Sequence, residues 1–400
     1  MKLQDVKNEF EKYIVVKDKW ILDVVLANMI GNLIIINDPV WTMIVAPSSG
    51  GKSTVIAPCV GVPSVYFVDD LTEKTLLSGF KVKGKETSFL KVIGSGIMAF
   101  SDFTSILMKN PMSRGEILTQ LKLVYDGKVS KRTGTVETAW EGKIGFIGAA
   151  TPDIYHLLES GRSMGERFLY YWMDQPTDDE ISAKQTEARI SSKEILEKMR
   201  PLYHQYCVDI AAYKQKYGLP PLQVNEEQRD RVRNAAKFCV NGKATVHTAF
   251  KTGKVDQMPN KAGVGRDNKM FDTMLHALQI MDAYESDDIT KTISDNRIDL
   301  IEKCAYSSIN RERRKILEIM ATSDGPKSAS EIGATKSLGF EKESVELYLI
   351  PLHSVGMIGK EAGGSGKAHT WYLKDEKMKE FILRASGAEE EVEIEEEIPL

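Results

Sequence analysis

Cysteine is scarce in this chain and never clustered: Cys59, Cys207, Cys239 and Cys304 stand far apart, with no C-x-x-C pair among them. Neither a zinc site nor a disulfide framework fits that usage, and isolated, inert thiols in a reducing compartment are expected. No run of 18 apolar residues occurs; ILDVVLANMIGNLIIIN comes nearest and is broken by Asp23, Asn28 and Asn32. With no signal peptide in view, a cytoplasmic location (the host cytoplasm if the protein is viral) and no membrane partner are expected. The six histidines are spread out, His204, His247 and His276 included, which suits core or surface positions better than metal ligands.

A surplus of positive charge is missing as well, which at first argues against a nucleic-acid partner. The formal net charge is −4, but seven glutamates crowd positions 389 to 397 with no base among them, so the remainder carries about +3. An acidic tail hides a mildly basic body. A length of 400 residues with 42% hydrophobic content allows about two or three domains that bury real cores.

What is present begins with MIVAPSSGGKSTVIAP, Met43 to Pro58. Trp41 to Val45 reads as a hydrophobic strand. Ala46, a four-residue turn and Gly51-Lys52-Ser53 then reproduce the spacing of a phosphate-binding loop, G-x-x-x-x-G-K-[ST], with alanine in the first glycine's place. In that chemistry the turn from Ala46 through Ser49, Gly50 and Gly51 surrounds the phosphates with backbone N–H groups, and the two glycines let the backbone come close. Lys52 would reach the β- and γ-phosphates of ATP, and Ser53 would coordinate Mg²⁺. Thr54 would carry the chain into a helix whose N-terminus favours the anion.

Further strands follow. VPSVYFVDD supplies a second, ending at Asp69 and Asp70, and Ile97 to Phe100 a third, ending at Ser101-Asp102. A carboxylate at the C-terminal end of a buried strand is what the Mg²⁺ shell of such a site requires, and Asp102 is assigned there; capping the next helix is its competing role. Ile144 to Gly148 is a fourth strand, leading to the polar Thr151, and ERFLYYWMDQP a fifth, ending before Pro176. Strands alternating with helical stretches define an α/β class: a doubly wound, mostly parallel P-loop core over residues 38 to 180, after an N-terminal helical segment, residues 1 to 37.

Within that core YDGKVSKRTGTVETAW suggests a β-hairpin turning near Arg132 to Gly134, with Lys128, Lys131 and Arg132 crowding its tip. Such a basic loop is either plain surface or a set of phosphate contacts inside a ring or channel. Residues 181 to 308 turn helical and are expected as a lid domain. Residues 309 to 380 read as a separate unit. NRERRKILEIMATSDGP is a helix with a Gly-Pro stop, SASEIGATKSL starts at a Ser cap with Glu331 in its first turn, and EKESVELYLIPLHSVGMI is a third helix. Two strands then flank a glycine-rich loop with Lys360, Lys367 and His369, which completes a winged helix. Its third helix sets Lys342 against three glutamates, so a protein-binding or structural role competes with DNA binding. Residues 381 to 400 are expected as a disordered acidic tail.

Taken in order, DPVWTMIVAPSSGGKST, DDLTEKTLLSG, SDFTSIL, LTQLKLVYDGK, WEGKIGFIGAATP and MGERFLYY resemble the P-loop ATPases of phages, prophages and mobile elements described as replicative helicases. The resemblance covers roughly residues 10 to 180. In arrangement the chain is also similar to the minichromosome maintenance helicases, with a hairpin before the sensor strand. The resemblance implies that Thr151 is the sensor of the γ-phosphate and that Arg167 is an arginine finger for a neighbouring subunit, with Arg162 the alternative. Phe103 departs from the pattern, since many such ATPases carry the catalytic glutamate there. Asp69, Asp70 or Glu73 on the adjacent strand would then orient the water, Asp70 being the assignment carried forward. EVEIEEEIPL resembles the acidic tip of bacterial single-stranded-DNA-binding proteins, with Leu400 in place of phenylalanine, which implies docking on replication proteins; shielding of the basic body is the alternative.

The combined expectation is a homo-oligomeric ring that uses ATP and Mg²⁺ to act on DNA, preferably single-stranded, as a replicative helicase or its loader. An ATP-gated initiator or regulator with weak hydrolysis is the first alternative, and an assembly scaffold without nucleic acid the second.

Overall fold

The computed structural model describes residues 1–72, 75–77, 81–82, 85–86, 88–133, 136–159, 164–248, 255–363 and 368–388. Glu73, Gly134, Arg162, Lys367 and the acidic tail from Glu389 onward lie outside them. The chain divides into two units, Met1–Val224 with Lys269–Ser294, and Asn225–Asn268 with Asp295–Leu400.

In the first unit α1 (Leu3–Glu11) and α2 (Ile21–Ile30) precede β1 (Trp41–Val45). Next come α3 (Lys52–Ile56), β2 (Val65–Phe67), β3 (Lys81–Val82), β4 (Lys85–Glu86), α4 (Phe89–Ile93) and β5 (Ile97–Phe100). Beyond β5 lie α5 (Thr104–Leu107), α6 (Pro111–Tyr125), β6 (Lys128–Thr133), β7 (Val136–Glu141), β8 (Gly145–Ala150), α7 (Ile154–Glu159) and β9 (Leu169–Trp172). Helices α8 (Asp178–Ala188) and α9 (Ser192–Tyr217) close this run. α10 (Glu226–Gly242) belongs to the second unit, and α11 (Gly265–Ser286) returns to the first from Lys269 onward.

Five strands form one sheet in the order β2-β5-β8-β1-β9, and every pairing is parallel. β1, β5 and β8 are buried along their whole length, which is why they read as unbroken apolar runs rather than as alternating ones. From β1 the chain crosses to β2 at one edge and builds back through β5 and β8, while β9 adds on the other side of β1. The order therefore reverses at β1, and in open α/β sheets the crevice beyond the strand ends at such a point is where ligands sit.

Trp41, Phe100, Phe103, Phe146 and Phe168 pack as one aromatic core, with Phe146 central at 4.9 to 5.2 Å from Phe100, Trp41, Phe103 and Phe168. The polar residues that interrupt the longest apolar stretch fasten α2 to the sheet and to α1. Asn28 Nδ2 donates to Thr42 Oγ1 at 2.8 Å and Phe146 O at 3.1 Å, Asn32 exchanges two bonds with Val40 at 2.9 Å each, and Asp23 pairs with Lys7 at 2.6 Å. Among the described residues no helix is long and apolar enough to cross a membrane. All four cysteines are free and buried, and burial pushes the Cys207 thiol up to about 12.

In the second unit α12 (Asp295–Ser307) and α13 (Arg311–Ala321) lead to β10 (Lys327–Ser328), α14 (Ala329–Gly333) and α15 (Lys342–Ser354). β11 (Ile358–Glu361), β12 (Thr370–Leu373) and α16 (Glu376–Ser386) follow. The strands make an antiparallel sheet in the order β10-β12-β11. Ser328 and Glu331 form a capping box at the start of α14, as their spacing predicts. Glu302, 1% exposed, is held between Arg231 at 2.5 Å and Arg384 at 3.2 Å, which ties α10, α12 and α16 together. Residues 381 to 386, expected in the acidic tail, instead complete α16, because Phe381 and Ile382 are buried and Phe381 packs 4.5 Å from Phe238. The stretch from 181 to 308 is shared, with α8 and α9 in the first unit and α10 and α12 in the second.

Candidate functional site

The candidate phosphate-binding loop runs from the end of β1 to the start of α3. Ala46 is buried and its N–H reaches Ala150 O at 3.2 Å, which prolongs the β1–β8 pairing by one residue before the chain turns. Gly51 sits at φ +75° and Ser49 at φ +65°. Gly51 adopts that conformation at little cost, whereas Ser49 holds it against steric strain, a condition that clusters at ligand sites. A Cβ on Gly50 would meet the end of the Gln175 side chain and stand 3.0 Å from Pro47 O, so a larger residue there would have to displace Gln175. Pro47 O accepts from Gly50 N at 3.1 Å and from Lys52 Nζ at 2.9 Å, drawing the turn closed over the lysine.

The first N–H groups of α3, those of Lys52 and Ser53, lie too early in the helix to have an intrahelical acceptor. The helix itself is short: five α residues, then a 3₁₀ turn over Ala57–Gly61. Pro58 has no N–H to give to Thr54 O, so the α pattern stops there. α9 supplies the missing support. Tyr203, fully buried, donates its hydroxyl to Val55 O at 2.9 Å, and a Cβ on Gly61 would lie 2.8 Å from Arg200 O. With so short a helix, its dipole contributes less than the lysine and the loop amides. Thr54 continues into it, bonded to Gly51 O at 3.0 Å.

Lys52 is 7% exposed, and that burial lowers its pKa from the usual lysine value, opposed by the nearby negative charge of Asp102. Ser53 Oγ donates to Ser101 O at 3.0 Å, next to Asp102, so the two candidate magnesium ligands lie side by side. Asp102 Oδ1 accepts the Thr104 N–H at 2.9 Å, a local turn at the start of the four-residue α5. The N-cap of α5 is Phe103, with no side-chain cap hydrogen bond, so Asp102 is not the cap of that helix and its carboxylate stays in this turn at the strand end. Thr151 follows β8; its N–H donates to Thr104 Oγ1 at 2.9 Å, and its hydroxyl lies 3.3 Å from both Thr104 Oγ1 and Asp153 Oδ2. Lys52, Ser53, Asp102 and Thr151 come together at the C-terminal edge of β1, β8 and β5, strands spaced about 4.8 Å apart.

Other candidates do not join this group. β2 is three strands from β1, roughly 14 Å, and Asp70 beyond it pairs with Lys109 at 2.5 Å. Phe103, at the position of the usual glutamate, is fully buried in the aromatic core and presents no base. Arg167 is 7% exposed, bonded through Nη2 to both carboxylate oxygens of Asp126 at 3.1 and 2.9 Å, and stands 5.5 Å from the Tyr125 ring centre. The hairpin forms as expected, but its strands are six residues long, which moves Lys128 away from the tip. Lys128 opposes Glu141 at the open end and pairs with it at 3.1 Å, while Lys131 and Arg132 are nearer the turn, opposite Thr138 and Glu137.

Thr104, Gln175 and Tyr203 escaped the sequence reading. Thr104 carried a usable signal, a hydroxyl two residues after the strand-end aspartate, which favours a turn of this kind. Gln175 and Tyr203 carried none, because their partners lie 125 and 148 positions away. Among protein-family models none matches this chain, and no curated protein matches its sequence.

Proposed function

We propose that the first unit binds ATP with Mg²⁺ at the C-terminal edge of β1, β8 and β5, and that the protein is an oligomeric ATP-dependent motor on DNA of the phage and mobile-element helicase type. The observation that carries the nucleotide reading is the convergence of Lys52, Ser53, Asp102 and Thr151 beside a loop strained at Ser49. Ser53 and Asp102 offer the hard oxygen donors that Mg²⁺ prefers, with phosphate and water completing the shell. The bound ion would neutralise charge on the phosphoryl oxygens. Lys52 supplies a fixed cation whose partial desolvation strengthens its pull on phosphate.

The DNA reading rests on the hairpin between α6 and β8, a two-stranded sheet of its own that carries Lys131 and Arg132 toward its turn and leads into β8, the strand that Thr151 follows. Three helices, α13 to α15, followed by the β11–β12 hairpin support a winged-helix reading of the second unit. Ring assembly would bring an arginine from a neighbouring subunit, a need suggested by the engagement of Arg167 with Asp126. One reading runs close behind: an ATP-gated initiator or regulator with slow hydrolysis, favoured by Phe103 in the glutamate position and by the engagement of Arg167 with Asp126.

The test is ATP binding and turnover by the purified chain and by Lys52→Ala, with and without single-stranded DNA. A motor loses binding and turnover in the variant and is accelerated by DNA in the wild type. Turnover unaffected by Lys52→Ala removes the nucleotide reading, and binding without DNA-stimulated turnover leaves the regulator.

A further inference from the structure

We propose that Thr104 is a positioning residue of the nucleotide site: its hydroxyl pins the backbone of Thr151 while leaving the Thr151 hydroxyl free to turn toward a ligand. The inference rests on the nucleotide reading above and adds to it a residue that touches neither phosphate nor metal.

Three hydrogen bonds make the case. Thr104 N donates to Asp102 Oδ1 at 2.9 Å, and Thr104 Oγ1 accepts from Thr151 N at 2.9 Å and lies 3.3 Å from Thr151 Oγ1. A single residue, 4% exposed, therefore joins the end of β5, through its amide, to the end of β8, through its hydroxyl. Thr151 N is the first amide beyond β8, where the ladder no longer supplies an acceptor, and a half-buried amide still needs one. Thr104 Oγ1 meets that need.

The distances divide the duties of Thr151. Its amide bond is at the ordinary length, but its hydroxyl has one proton and two acceptors, Thr104 Oγ1 and Asp153 Oδ2, both at a long 3.3 Å. Neither contact commits it. Turning that proton to a phosphate oxygen gives up a weak bond, and the backbone stays where Thr104 holds it. In many related sites a charged side chain follows the strand-end aspartate. Here Phe103 is turned into the core, and Thr104 is the next polar group between Asp102 and Thr151.

The test compares Thr104→Val, which keeps shape and removes the acceptor, with Thr104→Ser, which keeps the acceptor. Single-turnover and steady-state ATP hydrolysis are measured with Mg²⁺ titrations on the full chain. The expected result for Thr104→Val is a fall in kcat of roughly 10- to 100-fold, with KM for ATP and half-saturating Mg²⁺ within about threefold of wild type, because the Thr104 amide on Asp102 survives. Thr104→Ser should recover most of the rate. Should the valine variant not fold, Thr104→Ala carries the same comparison. A wild-type rate in the folded valine or alanine variant overturns the proposal, as does a loss spread equally over KM, Mg²⁺ and kcat that serine does not repair. A wild-type chain that neither binds nor hydrolyses ATP overturns the nucleotide reading itself, a result separable from either.

Discussion

Arg167 Nη2 donates to both carboxylate oxygens of Asp126, at 3.1 and 2.9 Å, and so joins the turn before β9 to the residue that ends α6. Asp126 stands two residues before β6, so this pair anchors the base of the hairpin to the strand beside β1. The arginine assigned as a trans-acting finger is thus already engaged within its own chain. For Arg167 to serve a neighbouring site, this pair must open.

The two halves of the pair differ in burial, and that asymmetry is measurable. The Arg167 side chain is 8% exposed and that of Asp126 52%. Arg167→Ala returns a half-exposed carboxylate to water and should cost about 1–2 kcal/mol, below the ~3–5 kcal/mol typical of a fully buried pair. Asp126→Ala takes one carboxylate from a guanidinium that is 8% exposed and should cost more. Denaturant titration of both single variants and the double variant checks the order. Mixing Arg167→Ala with Lys52→Ala subunits then separates a finger, which restores some turnover in mixed assemblies, from a strut, which does not.

Phe103 is a packing residue, and replacing it with the glutamate found in many P-loop ATPases should not improve turnover. Its ring meets Phe100 at 5.3 Å, Phe146 at 5.2 Å and Phe168 at 5.8 Å. Burying a carboxylate there, together with the lost aromatic contacts, should destabilise the chain by about 4 kcal/mol or more, while Phe103→Leu should cost about 1–2 kcal/mol and keep activity. A folded Phe103→Glu variant with faster hydrolysis would contradict this.

Ser49 carries strain that glycine would relieve. A non-glycine residue in the left-handed region costs about 1–2 kcal/mol, offset in the glycine variant by about 0.5–1 kcal/mol of extra chain entropy. Ser49→Gly should therefore gain roughly 0.5 kcal/mol in denaturant titration, and Ser49→Val should lose at least that much. A stability decrease for Ser49→Gly would mean that the Ser49 side chain itself holds the loop.

Replacing Lys131 and Arg132 with alanine should weaken single-stranded DNA binding. Each lost phosphate contact should lower the slope of log affinity against log salt by about 0.7, so the pair should lower it by about 1.4. Lys128→Ala, at the hairpin base in a pair with Glu141, should leave the slope nearly unchanged. Equal effects from all three positions would place the DNA elsewhere on the basic body.

The sequence alone determined the five strands of the parallel sheet and the spacing of the loop after β1, though not the short β3, β4 and β10. β1, β5 and β8 are continuous apolar runs because both faces of the sheet are covered, and the Ala46-to-Ser53 spacing follows from contacts within a single turn. The capping box at Ser328 and Glu331 was legible for the same reason, since both partners lie within one helical turn. Tertiary structure alone decided the strand order, which sets Asp70 three strands from β1, and it decided the partners of Arg167 and Thr151, 41 and 47 positions away in the chain. It also decided where Lys128 falls along the hairpin and that Phe103 points into the core. Short-range preferences are encoded in neighbouring residues, whereas an ion pair or a strand neighbour depends on which distant surfaces bury one another. No local pattern records that choice.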